Sequence, residues 1–269
     1  MTTAIVAAAG TGSRMGTDTE KPYIHLKGLP VLIRTLQVFE GSPRIDAVLV
    51  VVRPEWRDRA EALCASHGCR KVLRVLPGGD RRQDSVRYGL AALPPKTDTV
   101  VVHDGARPLL AVSLLHACLD ACGEEVRLRG EGAVCAAVPV KETIRLVMPS
   151  KKPETSCYSE KTLDRKTLWA VQTPQVFSRS LLERAHALAV SEGFEGTDDT
   201  QLAERLGARI RMVPGDYRNI KLTTPEDLDL AKILLSGLEN DGQNAYASYA
   251  EKTACPAQAV KAVKKEPDA

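Results

Sequence analysis

Residues 3–22 read TAIVAAAGTGSRMGTDTEKP, and this stretch sets the fold of the chain. Its first seven residues are apolar and predict a buried strand, after which glycines follow at once. Glycine allows positive φ angles and close approach of the backbone, so successive N–H groups can face an anion. Arg14 and Lys21 add two full positive charges to the loop. The pattern favours binding of a nucleoside triphosphate, and a tight turn after the first strand is the alternative interpretation.

The glycine spacing differs from that of two other phosphate-binding loops. A P-loop requires Gly-x-x-x-x-Gly-Lys-Ser/Thr, and neither Lys-Ser nor Lys-Thr follows a glycine in this sequence. A dinucleotide fingerprint requires Gly-x-Gly-x-x-Gly running into a helix, with an acidic residue about 20 residues further on. Here the glycines follow Gly-x-Gly-x-x-x-Gly, and the polar residues TDTE come next. A nicotinamide-dependent oxidoreductase is therefore disfavoured.

The composition is that of an ordinary globular protein. The 269 residues are 43% hydrophobic and 26% charged, which fits one large α/β domain or two small ones. The net charge of +3 is too small to indicate a nucleic-acid partner. There is no apolar span of about 18 residues, so we expect no membrane helix, no signal peptide and a cytoplasmic location. The seven cysteines lack paired C-x-x-C spacing and are expected to be buried free thiols.

Strand and helix patterns alternate through the first half of the chain. Apolar, β-branched runs predict strands at residues 47–52, 71–76, 99–103 and 132–139. Helices are predicted between them, over 29–39, over 54–67, up to Leu93, and from a cap at Ser113 to about Gly123. This alternation predicts a mostly parallel sheet with helices on both faces.

Three polar loops follow strands of this sheet, at residues 10–21, 77–85 and 104–108. Ligands of such sheets bind beyond the carboxyl ends of the strands, so we expect the three loops to converge on one site. The site would hold cations and hydroxyls but no evident nucleophile, because the histidines are scattered and no Ser/His/Asp arrangement is indicated. That inventory suits phosphoryl or nucleotidyl transfer, in which positioning and charge neutralisation carry most of the catalysis.

The pattern changes at Lys141. Residues 143–147 and 158–163 predict two short strands around a polar segment, and a ribbon this polar is marginal alone. The simplest support is the same ribbon of a second subunit, which predicts a homodimer. A mobile surface hairpin is the alternative.

The main fold resumes after the ribbon. Strands are predicted at 168–177, 209–213 and 219–222. Helices are predicted over 179 to about 192 and after GTDDT (196–200), the latter ending before Gly207. The last helix starts at TTPED (223–227), with Thr224 as cap, Pro225 next and Asp227 as a capping-box acid. We predict one domain over residues 1–236, a protruding β-arm at about 141–166, and a disordered tail over 237–269.

Charged residues near the strand ends keep two interpretations each. Asp104 could bind Mg²⁺ that bridges phosphate oxygens, or it could cap the turn. Arg107, Arg165 and Lys221 are more often solvated than functional when each is considered alone. The acidic pair 198–199 is typical of a helix N-cap.

Several motifs occur in a specific order: AAAGTGSRMG with Lys21-Pro22, GGDRRQDSV, VHDGARP, VQTPQVF, TDD and NIKLTTPEDL. From about Thr3 to Leu235 this ordered set resembles the 2-C-methyl-D-erythritol 4-phosphate cytidylyltransferases, a branch of the sugar-nucleotidyltransferases. The resemblance implies a Rossmann-like α/β fold with a dimerisation arm. It also implies transfer of CMP from CTP to methylerythritol phosphate, with release of pyrophosphate, in the non-mevalonate route to isoprenoids. Mg²⁺ is the implied cofactor.

The same resemblance implies a role for individual residues. Those implied to hold cytidine are Ala8, Ala9, Gly10, Gly12, Gly78, Asp80 and Ser85. Arg14 and Lys21 would neutralise the triphosphate as the pentacovalent α-phosphorus forms. The segment for ribose, metal and second substrate contains Asp104, Ala106 and Arg107, with Asp104 as the implied metal ligand.

Methylerythritol phosphate would be held by Thr143, Arg165, Thr173, Thr197 and Lys221. Arg165 and Lys221 would aim its phosphate oxygen in line at the α-phosphorus. Thr143 and Arg165 would come from the neighbouring subunit, in agreement with the predicted ribbon. Two alternatives stay open at this point. One is ribitol 5-phosphate as the acceptor, and the other is a non-catalytic CTP-binding regulator, which would not need Arg165 or Lys221.

Overall fold

The computed structural model describes residues 1–10, 23–148 and 157–241, with side chains up to residue 237. The first loop (11–22), the tip of the ribbon (149–156) and residues 242–269 lie outside the described residues. The tail is therefore untested from residue 242 onward, whereas residues 237–241 continue the last helix instead of starting the tail.

Strands and helices alternate in the described residues. The strands are β1 (Thr2–Ala7), β2 (His25–Leu26), β3 (Leu29–Pro30), β4 (Ala47–Val52), β5 (Val72–Pro77), β6 (Thr99–Asp104), β7 (Ala133–Pro139), β8 (Arg145–Val147), β9 (Ser159–Thr162), β10 (Trp169–Ser178) and β11 (Arg211–Pro214). The α-helices are α1 (Val31–Gly41), α2 (Arg57–Ser66), α3 (Arg82–Ala91), α4 (Val112–Arg129), α5 (Arg179–Glu192), α6 (Asp199–Arg205) and α7 (Pro225–Asp241). Short 3₁₀ turns cover Pro54–Trp56 and Arg165–Thr167.

A seven-stranded sheet has the order β11-β7-β10-β6-β1-β4-β5. β1 runs parallel to β4 and β6, β5 runs parallel to β4, and β11 runs parallel to β7. Only β10 among these strands runs the other way, antiparallel to both β6 and β7. The prediction of a mostly parallel sheet is confirmed, and the carboxyl ends of β1, β4, β5 and β6 lie at one edge.

Helices cover both faces of the sheet, as predicted. Successive side chains of a strand point to opposite faces. Accordingly, Ala4 and Val6 of β1 belong to the apolar cluster that includes Leu36 of α1 and Leu114 of α4. Ile5, between them, belongs to a second cluster, formed with residues of α3, α5 and α6. Strand β1 is therefore buried from both sides, and this fixes the position of the loop that follows it.

Some element boundaries differ from the sequence-based expectation. α1 begins at Val31, because Leu29–Pro30 pairs with His25–Leu26 in a small antiparallel sheet. Ala111 rather than Ser113 is the N-cap of α4, which continues past Gly123 to Arg129 and ends at Gly130 in a left-handed conformation (φ 80°). Gly123 is exposed and has open space around it, so nothing there ends the helix.

The predicted strand at 219–222 is also absent from the sheets of the described residues. This segment instead contacts the loop after β6, since the Leu222 N–H donates to the Ala106 carbonyl at 2.9 Å. In contrast, the predicted start of the last helix is observed. The Asp227 carboxylate accepts hydrogen bonds from the N–H groups of Thr223 and Thr224.

The ribbon strands β8 and β9 pair antiparallel in a two-stranded sheet of their own. Large apolar side chains are about half exposed at Leu146 and Val147 of β8 and at Met148 just after it, and Tyr158, just before β9, is 80% exposed. Several exposed large apolar side chains on one short ribbon are typical of an interaction site. Its use as a dimerisation arm stays a prediction.

The prediction of buried free thiols is confirmed for five of the six described cysteines and is wrong for one, which is free but exposed. Cys64, Cys69, Cys118, Cys122 and Cys135 are free and buried, and Cys157 is free and exposed, while Cys255 lies outside the described residues. Within residues 1–10, 23–148 and 157–241, no helix combines the length and apolar content needed to cross a membrane.

The packing of α3 on β1 can be tested by substituting Gly89 of α3, with Gly123 of α4 as the comparison. A Cβ at Gly89 would lie 2.7 Å from Ile5 Cγ2, in the fully buried centre of the sheet. We expect Gly89→Ala to lower the free energy of unfolding by about 1–3 kcal/mol, because overpacking outweighs the gain in helix propensity. Gly123→Ala, at an exposed position of α4, is the matched control and should raise the free energy of unfolding by about 0.5–1 kcal/mol. Urea unfolding measures both. Equal stability of the two variants would show that α3 has room to move.

Candidate active site

The predicted loops after β1, β5 and β6 meet at the sheet edge. A Cβ on Gly78 would lie 2.5 Å from the Ala9 Cβ and 2.8 Å from Ser85 Oγ. A Cβ on Gly105 would lie 2.8 Å from the Ala8 Cβ. These close approaches explain why the two loops that flank the first one carry glycine at their nearest points. The predicted convergence of the described parts of the loops is therefore observed.

The loop after β5 is held by its own helix. The Gly79 N–H donates to Ser85 Oγ at 3.2 Å, and the Ser85 hydroxyl donates to the Arg81 carbonyl at 3.2 Å. Gly78 is tied to the sheet by its N–H, which donates to the Val52 carbonyl at 2.6 Å. Asp80, between these anchored residues, is exposed at the loop's turn. This loop thus forms a fixed wall beside Ala9.

Asp104 is the centre of the charged part of the site. Its carboxylate is 8% exposed and lies 3.0 Å from Arg82 Nε, 2.9 Å from Lys221 Nζ and 3.6 Å from Arg107 Nε. Burial alone would raise the pKa of Asp104, but the three cations outweigh burial and hold that pKa far below its ordinary value. Asp104 is therefore an ionised carboxylate that gathers cations from three different segments.

Arg82, the first residue of α3, continues the network to the other side. Its Nη1 lies 2.6 Å from Asp199 Oδ2, and Asp199 Oδ1 lies 3.0 Å from His186 Nε2. Burial disfavours the charge of Arg82, but the carboxylates of Asp199 and Asp104 outweigh burial and raise its pKa. The pKa of Asp199 is lowered, because Arg82 and His186 together outweigh the effect of burial. Two buried carboxylates thus share one guanidinium.

Arg82 is a site residue that sequence reasoning missed, and Asp199 has a different role from the expected one. Asp198 is the N-cap of α6, as predicted, since its side chain accepts from the Gln201 N–H. Asp199 is buried and forms the ion pair with Arg82. The motif GGDRRQDSV contains Arg82, but its sequence does not indicate which arginine faces the site.

A second network fixes Asp104 through its backbone. The Asp104 N–H donates to Thr173 Oγ1 at 3.0 Å, and Thr173 Oγ1 lies 2.9 Å from His103 Nδ1. His103 Nε2 lies 3.2 Å from the Arg107 carbonyl, so the neutral tautomer with hydrogen on Nε2 satisfies all of these contacts. Burial lowers the pKa of His103 to about 4. Thr173, on β10, therefore lies directly beside Asp104.

The segment before α7 carries Lys221 to this place. Asn219 Nδ2 donates to the Thr173 carbonyl at 2.8 Å, and Arg107 Nη1 donates to the Asn219 carbonyl at 2.7 Å. The Leu222 N–H donates to the Ala106 carbonyl, so residues on both sides of Lys221 are fixed to the β6 loop or β10. The structure thus brings together Asp104, Ala106, Arg107, Thr173 and Lys221.

Three other predicted residues make their hydrogen bonds elsewhere in the described chain or lie apart from this cluster. Thr197 is exposed just before α6, and its N–H donates to Gln201 Oε1 at 2.7 Å. Thr143 is exposed at the base of the ribbon. Arg165 is exposed in the 3₁₀ turn after the ribbon, and its Nη1 donates to the Lys141 carbonyl at 3.0 Å. The positions of Thr143 and Arg165 leave both side chains available to a second molecule.

Gly12, Arg14 and Lys21 lie outside the described residues, so their predicted roles are untested. The chain is firmly anchored where its description resumes. Tyr23 is 2% exposed, and its ring lies 5.2 Å from that of Trp56. Its hydroxyl also donates to the Trp56 carbonyl at 3.2 Å.

The residues around Asp104 do not fit a divalent cation held directly by the protein. Asp104 Oδ1 accepts from Arg82 and Oδ2 lies beside Lys221, so cations already occupy both oxygens. In the part of the chain that the structure describes, no group of three or more His, Cys, Asp or Glu side chains is arranged to bind a metal. Mg²⁺ prefers several oxygen ligands at short distance, which this donor set does not offer.

Comparison with known proteins gives one consistent family. The family model described as IspD, 2-C-methyl-D-erythritol 4-phosphate cytidylyltransferase, matches residues 2–237. The cytidylyltransferase of that name from Geobacillus thermodenitrificans is 45% identical over 233 residues, which are 87% of this chain and 96% of that protein. The bifunctional enzyme IspD/IspF of Desulforudis audaxviator is 48% identical over 237 residues, which are 88% of this chain and 57% of that protein.

Solved structures agree. The 4-diphosphocytidyl-2C-methyl-D-erythritol synthase from Anaerococcus prevotii superposes with a TM-score of 0.73 and 30% identity, covering 87% of this chain and 96% of that one. The 2-C-methyl-D-erythritol 4-phosphate cytidylyltransferase from Thermus thermophilus gives a TM-score of 0.68 and 30% identity, covering 87% and 98%. The similarity therefore extends over most of this chain and nearly the whole length of both solved structures.

The buried, neutral His103 predicts a specific pH dependence of stability. Its pKa is lowered from 6.5 to about 4, so the unfolded chain binds a proton between these values and the folded chain does not. The free energy of unfolding should therefore fall by about 3 kcal/mol as the pH drops from about 6.5 to 4. His103→Gln removes this titration and should flatten the decline in urea-unfolding measurements across that range. His67→Gln, at an exposed histidine, is the control and should follow the wild-type curve. A decline that persists in His103→Gln would assign it to other groups.

Proposed function

The chain belongs to the 2-C-methyl-D-erythritol 4-phosphate cytidylyltransferase family, and we propose that the charged cluster around Asp104 is where its acceptor substrate binds. The enzyme is a nucleotidyltransferase of the non-mevalonate isoprenoid pathway. It transfers CMP from CTP to 2-C-methyl-D-erythritol 4-phosphate and gives CDP-methylerythritol and pyrophosphate. The observation that carries the assignment of the site is the convergence of Lys221, Arg107 and Arg82 on one buried carboxylate, beside the glycine loops.

The glycine loops form the nucleotide side of the site. Ala8, Ala9 and Gly10 follow β1, and Gly78, Asp80 and Ser85 belong to the wall beside them. Close backbone approach and N–H groups suit a base and ribose held between the two loops. In the proposal, Gly12 completes the first loop, and Arg14 and Lys21 face the triphosphate.

The Asp104 cluster forms the acceptor side. Thr173 and Arg107 hold Asp104 and the Lys221 segment in place, and Ala106 links the two. Lys221 is 42% exposed, whereas Asp104 is buried, so the ammonium group is the part of this pair that an incoming phosphate can reach. Thr197 lies at the start of α6 and completes this side in the proposal.

The chemistry needs positioning and charge rather than a protein nucleophile. An oxygen of the acceptor's phosphate attacks the α-phosphorus in line, and the bond from that phosphorus to the pyrophosphate oxygen breaks. Negative charge increases on the phosphoryl oxygens as the pentacovalent state forms, and fixed cations stabilise it. Arg14 and Lys21 would serve the triphosphate, and Lys221 and Arg165 would orient the acceptor.

Mg²⁺ enters the proposal only as a companion of CTP. Divalent cations bind nucleotide phosphates readily. Because cations of the protein already occupy the Asp104 carboxylate, the phosphates of CTP and not Asp104 would hold the metal, which would help to neutralise their charge.

The proposal includes a homodimer in which the ribbon completes the neighbouring site. Exposed apolar side chains on β8 and after it, among them Leu146 and Met148, need a partner surface. Arg165 and Thr143 lie at the base of this ribbon and are exposed. A two-fold arrangement would place each pair at the other subunit's Asp104 cluster. A cytoplasmic location and the lack of a nucleic-acid partner stay predictions.

Release of pyrophosphate tests the acceptor. The enzyme with CTP and Mg²⁺ should release pyrophosphate with methylerythritol phosphate, and ribitol 5-phosphate is the comparison acceptor. We expect a kcat/KM for methylerythritol phosphate higher by at least about 100-fold, because a mismatched polyol leaves site groups unpaired. Release of pyrophosphate with ribitol 5-phosphate alone would show that ribitol 5-phosphate is the acceptor. No release with either acceptor would indicate a CTP-binding regulator.

Mixing two inactive variants tests Lys221 and the shared site together. Lys221→Ala and Arg165→Ala should each lower turnover by about 100-fold or more, with much smaller effects on CTP binding. Lys232→Ala, at an exposed lysine of α7, is the control and should retain turnover.

If Arg165 acts in the partner's site, exchange of subunits between the two variants restores one intact site in each mixed dimer. Random exchange then recovers about one quarter of wild-type turnover. If Arg165 acts in its own subunit, every site carries one defect and mixing recovers nothing. Recovery of activity therefore decides between the two arrangements.

A further inference from the structure

Arg82 joins two carboxylates that come from distant parts of the chain. Its Nε donates to Asp104 Oδ1 at 3.0 Å and its Nη1 donates to Asp199 Oδ2 at 2.6 Å. Asp104 ends β6 beside the Lys221 segment, and Asp199 begins α6, two residues after Thr197. The guanidinium is therefore a rigid link between two segments to which the acceptor side of the site belongs.

We propose that Arg82 is a positioning residue of the transfer reaction, one that orients Asp104 so that Lys221 is held where the acceptor phosphate binds. The proposal rests on the proposed function of the Asp104 cluster and adds to it a residue to which neither the sequence nor the family resemblance assigned a role.

The geometry divides the Asp104 carboxylate between two partners. Oδ1 accepts from Arg82 and Oδ2 lies 2.9 Å from Lys221 Nζ. Rotation of the carboxylate would break both contacts, so fixing Oδ1 also fixes Oδ2 and, through it, the ammonium group. A planar guanidinium with donors in a fixed fork is well suited to this task, and a lysine at position 82 could satisfy only one carboxylate at a time.

Arg82 itself is fixed from behind. Asp199 is 1% exposed, and its other oxygen lies 3.0 Å from His186 Nε2. The Asp199 N–H donates to Gln175 Oε1 at 3.2 Å, which ties the start of α6 to β10. The link thus runs from α5 and β10 through Asp199 and Arg82 to the end of β6.

Stability alone does not explain this arrangement. Buried ion pairs cost desolvation, and apolar residues of similar volume often give equal or greater stability. Two polar atoms of the network, Arg82 Nη2 and His186 Nδ1, are buried without a hydrogen-bond partner in the described residues. A network that keeps such unsatisfied atoms is more typical of a functional site than of a core.

Arg82→Gln tests the proposal. We expect kcat/KM for methylerythritol phosphate to fall by about 100-fold, because a displaced Lys221 no longer aligns the acceptor. The dissociation constant for CTP should stay within about twofold, since the nucleotide loops keep their own anchors. Arg82→Lys should restore part of the loss. Arg184→Gln is the matched control, since Arg184 also pairs with a carboxylate that is remote in sequence, Glu131, but does so on the exposed surface of α5, and it should behave as wild type.

The split between the two substrates separates positioning from a merely structural role. A structural defect would weaken CTP binding and turnover together. A positioning defect lowers kcat/KM for the acceptor, leaves the dissociation constant for CTP in place, and is partly relieved by Arg82→Lys.

Several outcomes would overturn the proposal. They are a loss of CTP binding equal to the loss of turnover, no recovery in Arg82→Lys, or wild-type kinetics in Arg82→Gln. If thermal unfolding shows that Arg82→Gln does not fold, Arg82→Lys and Asp199→Asn carry the test with the same readouts. Failure of the wild-type enzyme to release pyrophosphate would instead count against the proposed function, so the two failures are distinct.

Discussion

A single buried carboxylate organises the site. Asp104 lies at the end of a strand that is buried on both faces, where an unpaired charge would be strongly unfavourable. The fold compensates this charge with cations from three segments that are remote in sequence: the start of α3, the turn after β6 and the segment before α7. Because breaking a buried pair leaves an uncompensated charge, each segment is held in register with the sheet edge. The same contacts that satisfy Asp104 therefore assemble the acceptor side.

The nucleotide side depends on a different constraint, which is space. The backbone loops after β1, β5 and β6 approach so closely that a side chain at Gly78 or Gly105 would collide with Ala9 or Ala8. Small residues at these contacts, Ala8 and Ala9 opposite Gly105 and Gly78, let the described loop backbones lie against each other. Charge thus dominates around Asp104, and close backbone packing dominates around Gly78 and Gly105. This division matches a reaction between a nucleotide and a sugar phosphate.

The sequence predicts what depends on local pattern, and it misses what depends on distant partners. The buried strands, their parallel order and the convergence of the loops depend on apolar runs and on glycines that follow the strands. These features are local in the sequence, and the structure confirms the predictions made from them. Ser113 and Gly123 are residue types that often lie at helix ends. α4 nevertheless begins before Ser113 and continues past Gly123 to Arg129, with apolar side chains packed on the sheet. Arg82 and Asp199 are separated by more than a hundred residues, and only the folded sheet shows that they form an ion pair. The roles of Thr143 and Arg165 are harder to predict, because their proposed partner is another molecule.

The balance of charge in the cluster explains why it suits an anionic acceptor. Arg82, Arg107 and Lys221 supply three positive charges, and Asp104 with Asp199 supplies two negative ones, so one positive charge is in excess. Arg82 and Arg107 are mostly buried and committed to protein oxygens, whereas Lys221 keeps its ammonium group near solvent. The excess positive charge therefore lies at the Lys221 ammonium group, where a ligand can reach it. An entering phosphate replaces water around Lys221 without leaving Asp104 unpaired, because Arg82 and Arg107 stay in place. The Asp104 carboxylate thus positions the Lys221 ammonium group. Because Arg82 and Arg107 also compensate the carboxylate, Lys221 can interact with the acceptor phosphate.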